Sequence, residues 1–64
     1  MMNAVIREIR RRGTMSGADV SDFCRRMGRP DKSAGGCLAR ALEYGHIRIV
    51  GTTAVGKKTY NLYQ

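Results

Sequence analysis

Two thiols, one imidazole and five carboxylates are the groups from which catalysis or metal binding would have to be built in this 64-residue chain. Their spacing assembles neither. Cys24 and Cys37 form no CxxC pair and His46 is the single histidine, so a set of four zinc ligands is missing. Two cysteines do not make a disulfide framework. Each falls on an apolar helical stripe, where a free thiol behaves as a small hydrophobe. His46 has neither a nucleophile nor a carboxylate placed to act with it. Glu8, Asp19, Asp22, Asp31 and Glu43 fall where helix caps and ion-pair partners are needed. No Walker-type phosphate loop or dinucleotide fingerprint is present, and the glycines at 51 and 56 lack the following helix that such motifs require. The expectation is a protein that is not an enzyme and holds no metal and no cofactor.

The chemistry that remains is charge. Twelve Lys and Arg face five Asp and Glu, for a net charge of +7 and a pI near 10.3. Nine of the twelve cations are arginines. Such an excess on so small a surface favours polyanionic partners: DNA, RNA or an anionic membrane. No segment approaches the roughly 20 apolar residues of a membrane span. Arg7 follows only a few apolar residues, so no signal-peptide core precedes it. The expected setting is cytoplasmic, on the nucleoid if DNA is the partner, with no membrane association.

The elements that must position these cations are legible in the apolar spacing. A chain of 64 residues has room for one domain, 1–64, and buries about 60% of the surface its unfolded form exposes. Met2, Val5, Ile6 and Ile9 form one helical stripe, which predicts a helix over 2–12 that stops at Gly13. Ser16 is a candidate N-cap with Asp19 at the third helical position. Val20, Phe23, Cys24 and Met27 repeat the stripe until Gly28 and Pro30 break it, and Asp22 is spaced to pair with Arg26. Asp31 or Ser33 is expected to cap a third helix of about 33–44, with Ala34, Cys37, Leu38, Ala41, Leu42 and Tyr44 inward and Gly45 as the stop. The period then changes to two. Ile47 and Ile49 share one face, Tyr60 and Leu62 another, and 51–58 reads as a long, mobile hairpin tip between them. The fold class is α+β, mostly α, in the order α-α-α-β-β, with a short strand possible at 14–15.

Leu38-Ala39-Arg40-Ala41-Leu42-Glu43-Tyr44-Gly45-His46-Ile47 resembles the end of the recognition helix and the start of the wing in small bacterial and phage regulators of the winged helix-turn-helix family. Ser16-Gly17-Ala18-Asp19-Val20-Ser21-Asp22-Phe23 is similar to the start of their second helix. The resemblance spans nearly the whole chain and rests on apolar spacing. It implies a third helix lying in a major groove and a wing touching the neighbouring backbone. On this chain the helix positions so implied are Lys32, Ser33, Gly36, Ala39 and Arg40, and the wing positions are Lys57 and Lys58.

Several of these residues carry two readings. On a 100° wheel the outward face of the third helix holds Gly36, Ala39, Arg40 and Glu43, with Gly35 at its border. Arg40 is its one obvious base reader, and Lys32 and Ser33 can assist at the start, so modest base specificity is expected. Gly35 and Gly36 either let backbone amides approach a phosphate or serve tight packing against the second helix. Glu43 accepts a bond from a cytosine amino group, lies beyond the groove near the helix end, or marks a protein-binding face. Arg25, Arg26 and Arg29, and the helix 1 set Arg7, Arg10, Arg11 and Arg12, are phosphate contacts or an ordinary solvated face. Arg7 and Arg11 are like charges one turn apart, which an anion would relieve. Lys57 and Lys58 suit backbone contact, or protect a hairpin edge. The expected function is binding of duplex DNA as a transcriptional regulator, of the compact kind that suits a phage or mobile element. The alternatives are an interaction module or inhibitor with an acidic protein partner, and RNA or ribosome binding. A homodimer through the first helix or a strand edge is a further possibility.

Overall fold

The computed structural model describes residues 2–30 and 32–64. Its elements are α1 (Met2–Arg12), β1 (Met15–Ser16), α2 (Gly17–Arg26), α3 (Ser33–Glu43), β2 (Ile49–Val55) and β3 (Lys58–Tyr63). The strands form one antiparallel sheet in the order β1-β3-β2. The architecture is α+β with a C-terminal hairpin, the layout of a winged helix. Asp31, one of the two residues expected to cap the third helix, lies outside the described residues.

The three apolar stripes close one core. Val5, Ile6 and Ile9 of α1 meet Val20 and Cys24 of α2 and Ala34, Leu38 and Ala41 of α3. The sheet adds Met15 and Tyr63, and Ile47 joins from the α3–β2 connection. Phe23, Cys37, Leu42 and Met2 pack at the margin. Met15 and Ile49 sit either side of Tyr63 in the ladder, so the middle strand carries the sheet's one buried aromatic. The short strand runs through Met15 and Ser16, one residue later than expected.

Local signals set the helix ends. Ser16 accepts from the Asp19 amide at 3.1 Å, and the Asp19 carboxylate accepts from the Ser16 amide at 3.1 Å, a complete capping box. At the other end of α2 the Arg29 amide reaches the Cys24 carbonyl at 2.9 Å and the Gly28 amide the Arg25 carbonyl at 3.0 Å. The His46 and Gly45 amides do the same to Ala41 and Leu42 at the end of α3. Both are Schellman turns, and Gly28 (φ 78°) and Gly45 (φ 75°) hold the left-handed position that such turns require.

The structure corrects six expectations. Met27, expected on the inward stripe of α2, is exposed because the helix ends at Arg26 and Met27 is its C-cap. Ser33 does not cap α3. It is the first helical residue, and the N-cap is Lys32, whose side chain makes no capping hydrogen bond. Tyr44 is 60% exposed because α3 ends before it, and its ring meets His46 edge-on at 6.2 Å. Asp22 pairs with Arg25, not Arg26. Ile49 is not buried with Ile47: Ile47 precedes β2 and joins the core, whereas Ile49 opens the outer strand and is 49% exposed. The expected long tip at 51–58 is mostly strand: Val55 pairs with Lys58, leaving only Gly56 and Lys57 in the turn. Gly56 has φ 63° and Lys57 does not have positive φ, the type II′ pattern that matches the twist of a hairpin.

Candidate nucleic-acid interface

α2 and α3 pack against each other across the turn 27–32, and both rest on α1. The turn is drawn tight at its end, where the Ser33 amide donates to the Pro30 carbonyl at 3.0 Å. This geometry carries Arg29 beside the first turns of α3. Arg29, Ser33, Gly36 and Arg40 line one open groove of ≈ 460 Å³, with Met2 and Cys37 completing it. Ser33, Gly36 and Arg40 fall at i, i+3 and i+7, so one strip of the helix supplies all three. Among the described residues no carboxylate lines the groove, and neither Arg29 nor Arg40 makes an ion pair. Lys32, the N-cap of α3, makes no side-chain cap bond, and the positive end of the helix dipole lies at Ser33 beside this groove.

The two glycines separate here. A methyl group built on Gly35 or Gly36 would meet nothing within 4 Å outside its own helix, so tight packing against α2 is not the reason for either. Gly36 lines the groove and Gly35 does not. Lys32 and Ala39 are exposed on α3 but stand outside the groove. Glu43 is the last residue of α3, exposed and also outside it.

The hairpin stands on α2. β3 packs against that helix, and Tyr60 reaches Gly17, where an added Cβ would lie 3.2 Å from the Tyr60 ring. Tyr60 and Tyr63 thus support the sheet on the helices. From that anchor the strands run out to Lys57 and Lys58, both exposed, about 13–17 Å past the β1–β3 pairing at a strand rise of about 3.4 Å per residue. The tip lysines are a second cationic feature, distinct from the groove.

The arginines of the other helices do not act as one set. Arg25 is engaged with Asp22, and Arg26 is exposed with no ion pair among the described residues. On α1 the Glu8 carboxylate takes two bonds from Arg11, at 2.9 and 2.7 Å, and one from Arg12 at 2.9 Å. Those bonds, Arg11's foremost, overcome an opposing desolvation effect and hold the Glu8 carboxyl down to about 2. Arg11 is thereby removed from the repulsion with Arg7. Arg7 and Arg10 instead line a smaller pocket with Asn3, Ile6 and His46.

Asn3, His46, Met2 and Cys37 were not singled out as site residues by the sequence. For Asn3 the signal was available: Asn3, Arg7 and Arg10 repeat at i, i+4 and i+7 on a polar strip of their own. For His46 there was none, because the turn after α3 places it. Among the described residues no three His, Cys, Asp or Glu come together as a metal-holding group, and no helix is long and apolar enough to cross a membrane. Comparison of the chain with protein-family models, with curated proteins and with solved structures finds no match.

Proposed function

We propose that this chain is a winged helix-turn-helix regulator that binds duplex DNA. The observation that carries the reading is the convergence of Arg29, Ser33, Gly36 and Arg40 on one groove that no carboxylate lines among the described residues, in a helix-turn-helix of a chain with net charge +7. Arg29 and Ser33 hold backbone phosphates, Arg40 reads a base edge, and the exposed tip lysines, Lys57 and Lys58, lie along a neighbouring stretch of backbone. The bare Gly36 backbone lets the duplex come close. Lys32 and Arg26 add long-range attraction. Arg25 contributes less, since Asp22 offsets its charge.

The test is fluorescence anisotropy with a random 20-base-pair duplex. Expected are binding at 50 mM salt, steep weakening by 200 mM as counterions are released, and weaker binding to duplex RNA of the same length. No binding at 50 mM salt would end the proposal. A protein-binding reading has one observation of its own. The outer strand β2 presents Ile49, Val50 and Val55, each close to half exposed, and carries no charge. Capture of one acidic protein that survives nuclease and high salt would favour that reading.

A further inference from the structure

α1 carries four arginines, and the structure divides them into two pairs. Arg11 and Arg12 are spent on Glu8. Arg7 and Arg10 make no ion pair among the described residues. With Asn3 and His46 they surround an open pocket of ≈ 220 Å³ whose apolar wall is Ile6, 6% exposed. Among the described residues no carboxylate lines it. Two guanidiniums one helical turn apart repel each other, and a bound anion relieves that repulsion. Each guanidinium presents a planar fork of donors that matches paired oxygens of a tetrahedral oxyanion. The Asn3 amide and the His46 imidazole each add an N–H donor. His46 is positioned from outside α1, by the Schellman turn that ends α3 and by the edge of Tyr44. The pocket therefore draws on two elements that meet only in the folded chain.

We propose that Asn3, Arg7, Arg10 and His46 form a phosphate-binding site on α1, separate from the groove of α3. The phosphate is either a nucleic-acid backbone phosphodiester or a free phosphate group. A backbone source is reachable because Met2 lines the α3 groove and Asn3 this pocket, so the two sites meet at the first turn of α1. The site does not depend on DNA binding by α3.

The experiment is an NMR titration of the full chain with inorganic phosphate at constant ionic strength, with chloride as the balancing anion. The result expected is saturable shifts at the Arg7 and Arg10 side-chain N–H groups and the His46 ring. In the double variant R7Q/R10Q the affinity falls at least tenfold, and in R26Q, which also loses an exposed arginine, it does not change. Both pocket arginines are exposed, so the double variant keeps the fold, which its amide spectrum checks. Shifts that fail to saturate, or that spread equally over all the arginines, overturn the site. A second arm measures duplex DNA. If the pocket takes a backbone phosphate, R7Q/R10Q lowers the slope of log K against log salt by about 0.9, the value for one phosphate. An unchanged slope with phosphate binding intact assigns the pocket to a free phosphate group. A wild-type chain that ignores DNA yet titrates with phosphate refutes the DNA reading and leaves this site standing.

Discussion

Gly36 is where folding and binding make opposite demands, and Gly36→Ala separates them. The residue lies in the early part of α3 with helical backbone and negative φ, and an added Cβ meets nothing within 4 Å outside the helix. Glycine in a helix interior is about 1 kcal/mol worse than alanine, chiefly through backbone entropy. Near the N-terminus part of that difference is lost, so G36A should stabilise by about 0.5–1 kcal/mol. A domain of this size moves roughly 4–8 °C in Tm per kcal/mol, so a rise of about 2–8 °C is expected. Gly35→Ala has the same free space and should give a similar gain. The two should diverge in binding. Only Gly36 lines the groove, so its methyl group stands where a phosphate or base edge must come close. G36A is expected to lose at least tenfold in duplex affinity, about 1.4 kcal/mol, while G35A stays within twofold. Thermal melts by circular dichroism and anisotropy titrations at one salt concentration measure both quantities on the same samples. A stabilised G36A that binds DNA as the wild type does would refute a ligand role for the glycine. A destabilised G36A would refute the placement of α3.

Arg29→Ala and Arg40→Ala should each weaken duplex binding, but only R40A should change the order of preference among duplexes, as a selection from random sequences would show. Lys57→Ala with Lys58→Ala should weaken all sequences alike and lower the salt slope by about 1–2. Ser16→Ala opens the capping box, and a loss of about 1 kcal/mol, or roughly 4–8 °C in Tm, is expected in a melt. Glu8 sets an acid response: its folded carboxyl is held at about 2 against an ordinary 4.5, so its contribution is complete above 4.5 and is lost as pH falls from there toward 2. Melts between pH 2 and 6 should show that decline become shallower in Glu8→Gln, and the difference should shrink in high salt because the pairs lie at the surface.

Much of the helical layer was legible because its signals are local. The stripes of Met2, Val5, Ile6 and Ile9 and of Ala34, Leu38 and Ala41 need only the 3.6-residue period, and Ser16 with Asp19 spells a cap within four residues. The hairpin was harder. Alternation placed Ile47 and Ile49 together, but Ile47 is buried before the strand begins while Ile49 lies on the outer strand, and strand order is a contact between distant segments. Tyr44 continued an inward stripe, yet the left-handed turn at Gly45 ended the helix before it could be buried. In the candidate interface, Ser33, Gly36 and Arg40 share a helix face by spacing alone, whereas Met2 and Arg29 reach that face only through the packing of α1 and of the turn after α2.

The sequence by itself determined the helices, most of their inward faces, the capping box of α2, the glycine stops and the surplus of positive charge, because each of these depends on residues within one or two turns of chain. Only the tertiary structure decided which cations stay free and which face one another. It committed Arg11 and Arg12 to Glu8, grouped Arg29 with Arg40, and brought His46 to Arg7 and Arg10. The physical reason is range: a helix forms from neighbours in the chain, but a binding surface forms from neighbours in space, and those are fixed only when the core closes.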